Sequence, residues 1–219
     1  MTTILALDIS STSTGVCIYN EGEILYSEAL RLKQKSHAER LVIFEVALRA
    51  IIAQYHPDII AIEDCWQGAN RTTFKVLALY HGVAYKICYE AIRKDPFVIM
   101  PSEIRKLIGN RAGVELLPSR KKRRRRGDNS DSKKRTFDFI INLFKLTSYT
   151  FEKNNDQTDA IAVALACSLV NGHESTRSIF STWSSERILR RGSEESISCD
   201  GISIPSGQKP RKPRGRRKV

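Results

Sequence analysis

Two short apolar runs, each ending in a carboxylate, constrain the fold of this chain more than any other feature of its sequence. Residues 3–9 are mostly apolar but include Asp8, and residues 59–63 are apolar up to Glu63. Such runs are typical of strands that are buried on both faces of a sheet. If the two strands are neighbours, Asp8 and Glu63 leave the sheet at the same edge. The pattern therefore predicts an α/β fold with acidic groups gathered at one end of its sheet.

The remaining pattern places three strands first and puts helices between the later strands. The further strands are expected at residues 16–19, 24–30 and 97–100, and the helices at residues 36–55, 70–91, 101–108, 133–146 and 156–170. A turn at residues 20–22 predicts a hairpin between the second and third strands. Ser36 and Glu39 form an S-x-x-E capping box that opens the first helix. The order predicts a mixed five-stranded sheet, antiparallel in its first three strands and flanked by helices.

Positive charge is concentrated in two segments of the chain. The sequence has 36 Lys and Arg against 24 Asp and Glu, a net charge of +12. Seven of the basic residues form the unbroken run 120–126 and seven lie within 209–218, so the rest is slightly acidic. This segregation predicts a polyanionic partner, above all nucleic acid, with a solubilising tail as the alternative. We expect one domain over residues 1–172, a flexible basic insertion at 109–131 and a disordered basic tail at 173–219.

Composition excludes several classes of protein. An apolar share of 41% is typical of a globular domain. No stretch approaches the ~20 apolar residues that are needed to cross a bilayer, and the start of the chain lacks the basic region of a signal peptide. The five cysteines are scattered without a C-x-x-C pair, which predicts neither a zinc site nor a disulfide framework. We therefore expect an intracellular protein without a membrane partner.

Four acids are candidates for a metal centre. Asp8 and Glu63 end apolar strands, and Asp156 and Asp159 lie three residues apart on one face of a predicted helix. Converging carboxylates raise one another's pKa unless a cation compensates their charge. Mg²⁺ prefers oxygen ligands, and two ions about 3.5–4 Å apart are a common device for phosphodiester hydrolysis. Each acid alone has a structural alternative: Asp156 as a helix cap, Asp8 as a turn former and Glu63 as a solvated strand end.

Three ordered motifs surround these acids. They are residues 4–8 (ILALD) with Thr14-Gly15, residues 63–70 (EDCWQGAN) continuing to Gly82, and residues 156–166 in a D-x-x-D-A-x-A-x-A pattern. Together they resemble the RuvC-like Holliday junction resolvases of the ribonuclease H-like superfamily, over residues 4–167. The basic insertion and the basic tail are additions to the pattern of that family. The resemblance implies a ribonuclease H-like fold.

The resemblance also implies a function, which is that of a metal-dependent, structure-selective endodeoxyribonuclease in DNA recombination and repair. Such an enzyme resolves four-way (Holliday) DNA junctions by paired symmetric nicks, leaving 5′-phosphates and 3′-hydroxyls. Asp8, Glu63, Asp156 and Asp159 would be its catalytic acids and would hold two Mg²⁺ ions per active site, with Mn²⁺ as a substitute. A junction is cut at two symmetry-related positions, so we expect a homodimer, with residues 70–91 as its contact surface.

Several further residues are candidates for DNA binding. The resemblance matches Trp66, Asn70, Lys106 and Lys133 to it, whereas Arg123 and Arg124 belong to the basic insertion and would add phosphate contacts that do not depend on sequence. Trp66 would stack on an unpaired base, with packing in the core as its alternative. A lysine that opens the helix after the insertion would hold the scissile phosphate or stabilise developing charge. Lys133 and Lys134 both fit that position, and we assign Lys134 to catalysis.

Three other functions fit parts of the sequence. Residues 8–15 also resemble the phosphate loop of sugar kinases and actin-like ATPases, but a second glycine-rich phosphate segment is missing. A general branched-DNA (fork or flap) debranching endonuclease, or an RNA–DNA hybrid nuclease, would use the same fold and metals. A non-catalytic DNA-binding module would need only the basic segments, although none of the four acids is missing. We expect a cytoplasmic location in a bacterial or phage-infected cell, with a nuclear address left open.

Overall fold

The computed structural model describes residues 1–34, 36–65, 70–117 and 128–195, including the side chains of these residues outside 128–130 and 186–195. The chain divides into two compact units, Met1–Ser184 and Ser185–Val219. The strands are β1 (Thr3–Asp8), β2 (Ser13–Asn20), β3 (Glu23–Arg31), β4 (Ile59–Glu63) and β5 (Phe97–Ile99). The helices are α1 (His37–Tyr55), α2 (Arg71–Ile92), α3 (Pro101–Ala112), α4 (Asp128–Phe144), α5 (Phe151–Val170) and α6 (Glu174–Glu195). Among the described helices, none is long and apolar enough to span a membrane.

The five strands form one mixed sheet in the order β3-β2-β1-β4-β5. The pairs β1–β2 and β2–β3 are antiparallel, while β1–β4 and β4–β5 are parallel. This confirms the predicted sheet, including its antiparallel first three strands. Parallel pairing of β1 and β4 brings the ends of the two apolar runs to the same edge, because Leu7 lies opposite Ile62.

Helices cover both faces of the sheet, so its central strands are apolar on each side. Ile4 and Ala6 of β1 face the core that α3, α4 and α5 close, whereas Leu5 and Leu7 face the core under α1 and α2. All four side chains are fully buried. The alternation of one strand between two cores explains why β1 has a continuous apolar sequence rather than an alternating one. Ser36 caps α1 as predicted, accepting a hydrogen bond from the Ala38 amide.

Helices extend from both sides into the predicted basic insertion. α3 continues to Ala112 and α4 begins at Asp128, so the expectation of an irregular segment over 109–131 is wrong at both ends. Gly109 does not break α3 but serves close packing, since a Cβ there would lie 2.7 Å from the Val114 carbonyl oxygen. Residues 118–127, which carry the arginine run, lie outside the described residues.

Helix α5 begins at Phe151, not at Asp156 as the sequence indicated. The polar residues of its first turns hid the start of the helix. An aromatic contact supports that start, because the Phe151 ring meets Phe137 of α4 edge-on, with the ring centroids 5.4 Å apart. Asp156 therefore lies inside the helix, and the interpretation of this residue as a helix cap is wrong.

Residues beyond the expected domain end form α6 and not a disordered tail. Ile179, Phe180 and Trp183 form a short helical stripe that the overall polarity of the segment concealed. Phe180 is buried and stacks on Phe139 of α4. The buried Thr176 hydroxyl lies 2.7 Å from the Tyr19 hydroxyl and so joins α6 to β2. The expectation of disorder from residue 173 is therefore wrong for α6, and residues 196–219 lie outside the described residues.

Replacing Phe180 with Ala should lower the free energy of unfolding by about 3–5 kcal/mol, because it leaves a cavity between α6 and α4. Chemical denaturation followed by circular dichroism measures this change. Ser178→Ala is the control, since Ser178 is exposed on the same helix, and it should change stability by less than about 0.5 kcal/mol. Equal stability of the two variants would contradict the docking of α6.

Candidate active site

The ends of β1 and β4 bring two carboxylates together. Asp8 and Glu63 are the last residues of their strands, and the parallel register of Leu7 with Ile62 makes them neighbours at one edge of the sheet. Both are half-buried. The adjacency predicted from the two apolar runs is therefore present in the fold.

Helix α5 lies unusually close to the sheet and brings two more carboxylates to the same edge. A Cβ on Gly15 of β2 would lie only 1.9 Å from the Asp156 carbonyl oxygen, so only glycine permits this approach. Asp159, one turn further along, is 5% exposed. The Ser13 hydroxyl, which precedes Gly15 on the same face of β2, donates a hydrogen bond to the Asp156 carboxylate. The Thr14-Gly15 motif thus serves the packing that places the acids of α5.

Lys133 of α4 forms an ion pair with the carboxylate cluster. Its Nζ lies 2.9 Å from Oδ2 of Asp159, and the two side chains are 42% and 7% exposed. Burial alone would lower the pKa of the Lys133 ammonium. The charges of Asp159 and Asp8 outweigh that effect and raise the pKa above its usual value. Lys133 therefore stays protonated among the acids.

The charge of Lys133 does not compensate for the four carboxylates. Burial, followed by the charges of Glu63 and Asp159, raises the pKa of Asp8 well above its usual value. Burial and the charge of Asp159 raise the pKa of Glu63 to about 7. Arg105 of α3 opposes this rise, so its guanidinium acts on the cluster from the side of Glu63. The sheet edge thus has an excess of negative charge that further positive charge would stabilise.

The donor set fits a hard divalent cation in charge and in chemistry. Asp8, Glu63, Asp156 and Asp159 offer carboxylate oxygens, which Mg²⁺ prefers as ligands. In the part of the chain that the structure describes, no three His, Cys, Asp or Glu residues are already arranged as a metal-binding group. Binding of an ion would therefore have to draw these side chains together, and the pair of Lys133 with Asp159 is the contact that would have to adjust.

The structure brings some of the other predicted residues to the cluster and leaves others away from it. Lys133 contacts Asp159, whereas Lys134, the predicted catalytic lysine, is exposed. Lys106 is exposed on α3. Asn70 caps α2, because its side-chain oxygen accepts hydrogen bonds from the amides of Thr72 and Thr73. Trp66, Arg123 and Arg124 lie outside the described residues.

The sequence analysis missed two residues of the site, Ser13 and Arg105, although the periodicity of their strand and helix could have found both. Cys17 and Tyr19 of β2 face the core that α5 closes, so the strand period of two places Ser13 on that face. Ile104 of α3 is buried, and Arg105 follows it by about 100° around the helix. Lys106, a further 100° on, turns away from that core. The resemblance that singled out Lys106 was therefore a weaker guide than the face of the helix.

Comparison with known proteins supports the family that the three sequence motifs resemble. The family model of crossover junction endodeoxyribonuclease RuvC matches residues 4–167. A structure of Thermus thermophilus RuvC is similar with a TM-score of 0.59 at 14% identity, covering 78% of this chain and 98% of that one. T. thermophilus RuvC in complex with a Holliday junction substrate gives 0.58 at 12% identity, covering 79% and 98%. These similarities confirm the ribonuclease H-like fold. No match is found among curated proteins.

Replacing Asp8 with Asn should raise the melting temperature of the metal-free protein at neutral pH. The fold raises the pKa of Asp8, so its ionisation opposes folding. This penalty is absent below the ordinary pKa of 3.8 and grows as the pH rises toward the raised value. We expect a gain of several degrees at pH 7, because each kcal/mol of added stability raises the melting temperature of a chain of this length by about 2–4 °C. Thermal melts in EDTA from acidic to neutral pH measure it.

Glu152→Gln is the matched control for this prediction, because Glu152 is an exposed acid in the first turn of α5. Its removal should leave stability unchanged or slightly reduced, since an acid near a helix N-terminus is mildly stabilising. A lower melting temperature for Asp8→Asn than for Glu152→Gln at neutral pH would contradict the electrostatic account of the cluster.

Proposed function

The chain belongs to the RuvC family of crossover junction endodeoxyribonucleases, and on that basis we propose that it is a hydrolase that resolves four-way DNA junctions by paired symmetric nicks. The observation that carries the proposal is the convergence of Asp8, Glu63, Asp156 and Asp159 at one edge of the sheet. Mutual repulsion of four carboxylates contributes nothing to protein stability or to DNA binding. Phosphodiester hydrolysis assisted by divalent cations explains the cluster, because the carboxylates would hold those cations.

Nucleases of this family depend on divalent metal ions, and we propose that the four carboxylates hold two Mg²⁺ ions, with Mn²⁺ as a substitute. When bound, such ions supply the charge that activates a water and stabilises a leaving oxygen. The side chains of the strands and of α5 would hold the ions from two directions. The Ser13 hydroxyl fixes the orientation of Asp156, which limits the freedom of that ligand before DNA arrives.

Lys133 and Arg105 would act on the phosphate itself. Lys133 is held at the cluster by Asp159, and Arg105 lies on the side of Glu63. Positive groups fixed in this way stabilise the charge that grows on the phosphate oxygens in the transition state. Water adds to phosphorus and the bond to the 3′ oxygen breaks. The water proton is transferred to that oxygen, so the products are a 5′-phosphate and a 3′-hydroxyl.

Two opposed nicks require two active sites, and α2 offers a surface on which a second copy of the chain would dock. Leu79, Tyr85 and Tyr89 are 55%, 41% and 47% exposed on one face of this helix. Gly82 lies between them, and a Cβ there would meet no atom of the described residues within 4 Å. A glycine in a helix costs about 1 kcal/mol relative to alanine, yet the part of the protomer that the structure describes gives Gly82 no packing role. Close approach of a symmetry-related helix would explain it.

The function is tested by cleavage of a four-way junction, a Y-fork and a linear duplex, each labelled on every strand in turn. We expect paired symmetric nicks on the junction that require Mg²⁺ and fail with Ca²⁺. Lys133→Gln should slow cutting by about 10²–10³-fold, the effect of removing one group that stabilises transition-state charge. Lys134→Gln is the matched control, because Lys134 is exposed and adjacent, and it should cut at nearly the wild-type rate.

Two results would overturn parts of this account. Equal cutting of fork and junction would favour the general branched-DNA debranching nuclease, with the same site. A larger loss in Lys134→Gln than in Lys133→Gln would contradict the assignment of Lys133 to the cluster.

Replacing Leu79 with Lys should dissociate the proposed homodimer, because it places two charges where two α2 helices would meet. Analytical ultracentrifugation over a range of protein concentrations measures the shift toward monomer. Val46→Lys is the control, since Val46 is 63% exposed on α1 and should leave the dimer intact. A wild-type protein that is monomeric both alone and on a junction would contradict the proposal.

A further inference from the structure

A basic groove lies at the outer strand of the sheet, beside the part of α5 that carries Asp156. It has a volume of about 770 Å³ and lies between the end of β3, one face of α1 and the first turns of α5. Arg31 and Lys33 stand on one wall, and Lys153 stands on the other. All three are exposed. The groove wall on α5 is formed by Lys153, Asn154 and Gln157.

The three cations of the groove are available to a ligand. Within the described residues, none of them forms a salt bridge. Glu28, an acid that lines the groove, accepts a hydrogen bond from the Tyr26 hydroxyl. Ile43 of α1 contributes an apolar surface, 40% exposed, beside the basic wall. A basic wall next to an apolar one suits a phosphate backbone together with its sugars.

Hydrogen bonds across the groove hold its walls in place. The Arg31 guanidinium donates to the Lys153 carbonyl oxygen at 3.3 Å. The Gln157 amide donates to the Ser27 carbonyl oxygen at 3.0 Å, which joins α5 to β3 directly. A site whose walls are fixed before binding loses less conformational entropy when its ligand arrives. The groove is therefore preformed.

The groove adjoins the residues that position Asp156, because Asn154 and Gln157 line it on either side of that acid in the sequence. Arg31 lies opposite Ser13 in the pairing of β3 with β2, and the Ser13 hydroxyl is bonded to Asp156. Lys153 precedes Asp156 by about one helical turn, a rise of about 4.5 Å. A strand whose scissile phosphate lies at the cluster would pass these cations next.

We propose that this groove binds the phosphate backbone of the DNA strand that is cut, on one side of the scissile phosphate. The inference rests on the proposed function and specifies the path of the substrate strand. Arg31, Lys33 and Lys153 bind successive phosphates, and Ile43 contacts the sugars. These contacts carry no base readout, so they strengthen binding to every sequence alike.

The test measures junction binding by full-length protein that carries Asp8→Asn, so that no cutting occurs. In that background, Lys33→Gln with Lys153→Gln should reduce the slope of log affinity against log salt by about 1.8, since each phosphate contact contributes about 0.9. Arg93→Gln with Lys94→Gln is the matched control. These two exposed cations precede β5 and so lie at the opposite edge of the sheet, and their removal should not change the slope.

Uncharged methylphosphonates locate the contact on the DNA. Single replacements at successive positions next to the cleavage position should weaken binding of the Asp8→Asn protein. Once Lys33 and Lys153 are also replaced, the effect should be lost at the two phosphates that these lysines bind and should remain at the phosphate that Arg31 binds. An unchanged salt slope, or an equal response of both proteins to each methylphosphonate, would overturn the groove. A groove that passes these tests in a protein that cuts no junction would overturn the proposed function instead, so the two failures are distinguishable.

Discussion

Repulsion between carboxylates at one edge of the sheet is the constraint on which the rest of this structure depends. Asp8 and Glu63 can be neighbours only because β1 and β4 run parallel. Asp156 and Asp159 can join them only because Gly15 lets the backbone of α5 approach the sheet. Burial raises the free-energy cost of ionising this cluster. The fold therefore retains an energetically unfavourable arrangement, as is common at functional sites. A bound divalent cation would relieve the repulsion.

Separate elements around the cluster supply positive charge, a path for DNA and a surface for a second copy of the chain. Lys133 on α4 supplies positive charge to Asp159, and Arg105 on α3 supplies it to Glu63. The first turns of α5 and the end of β3 form the basic groove, beside the part of α5 that carries Asp156. The exposed face of α2 belongs to the opposite side of the sheet, over the other core. A second copy bound there would leave the cluster and the groove open to DNA.

The sequence was sufficient for the sheet and for the acids, because both follow from local patterns. An apolar run that ends in a carboxylate predicts a buried strand with an acid at the sheet edge, and β1 and β4 confirm this prediction. It was insufficient where tertiary packing decides. The start of α5 depends on the contact of Phe151 with Phe137, and α6 depends on the contact of Phe180 with Phe139. Lys133 and Lys134 differ only in the face of α4 that they occupy. The sequence pattern did not show that α4 begins before these lysines, so it could not show which of them faces the cluster.

The most direct test of the central claim is to locate bound Mn²⁺ by anomalous X-ray diffraction from crystals of the full chain. We expect anomalous peaks among the carboxylates of Asp8, Glu63, Asp156 and Asp159, and their loss in crystals of Asp8→Asn. Lys133 should also move relative to Asp159 when the ions bind. Peaks elsewhere in the chain, or none in wild-type crystals at saturating Mn²⁺, would contradict the claim that this cluster is a cation site.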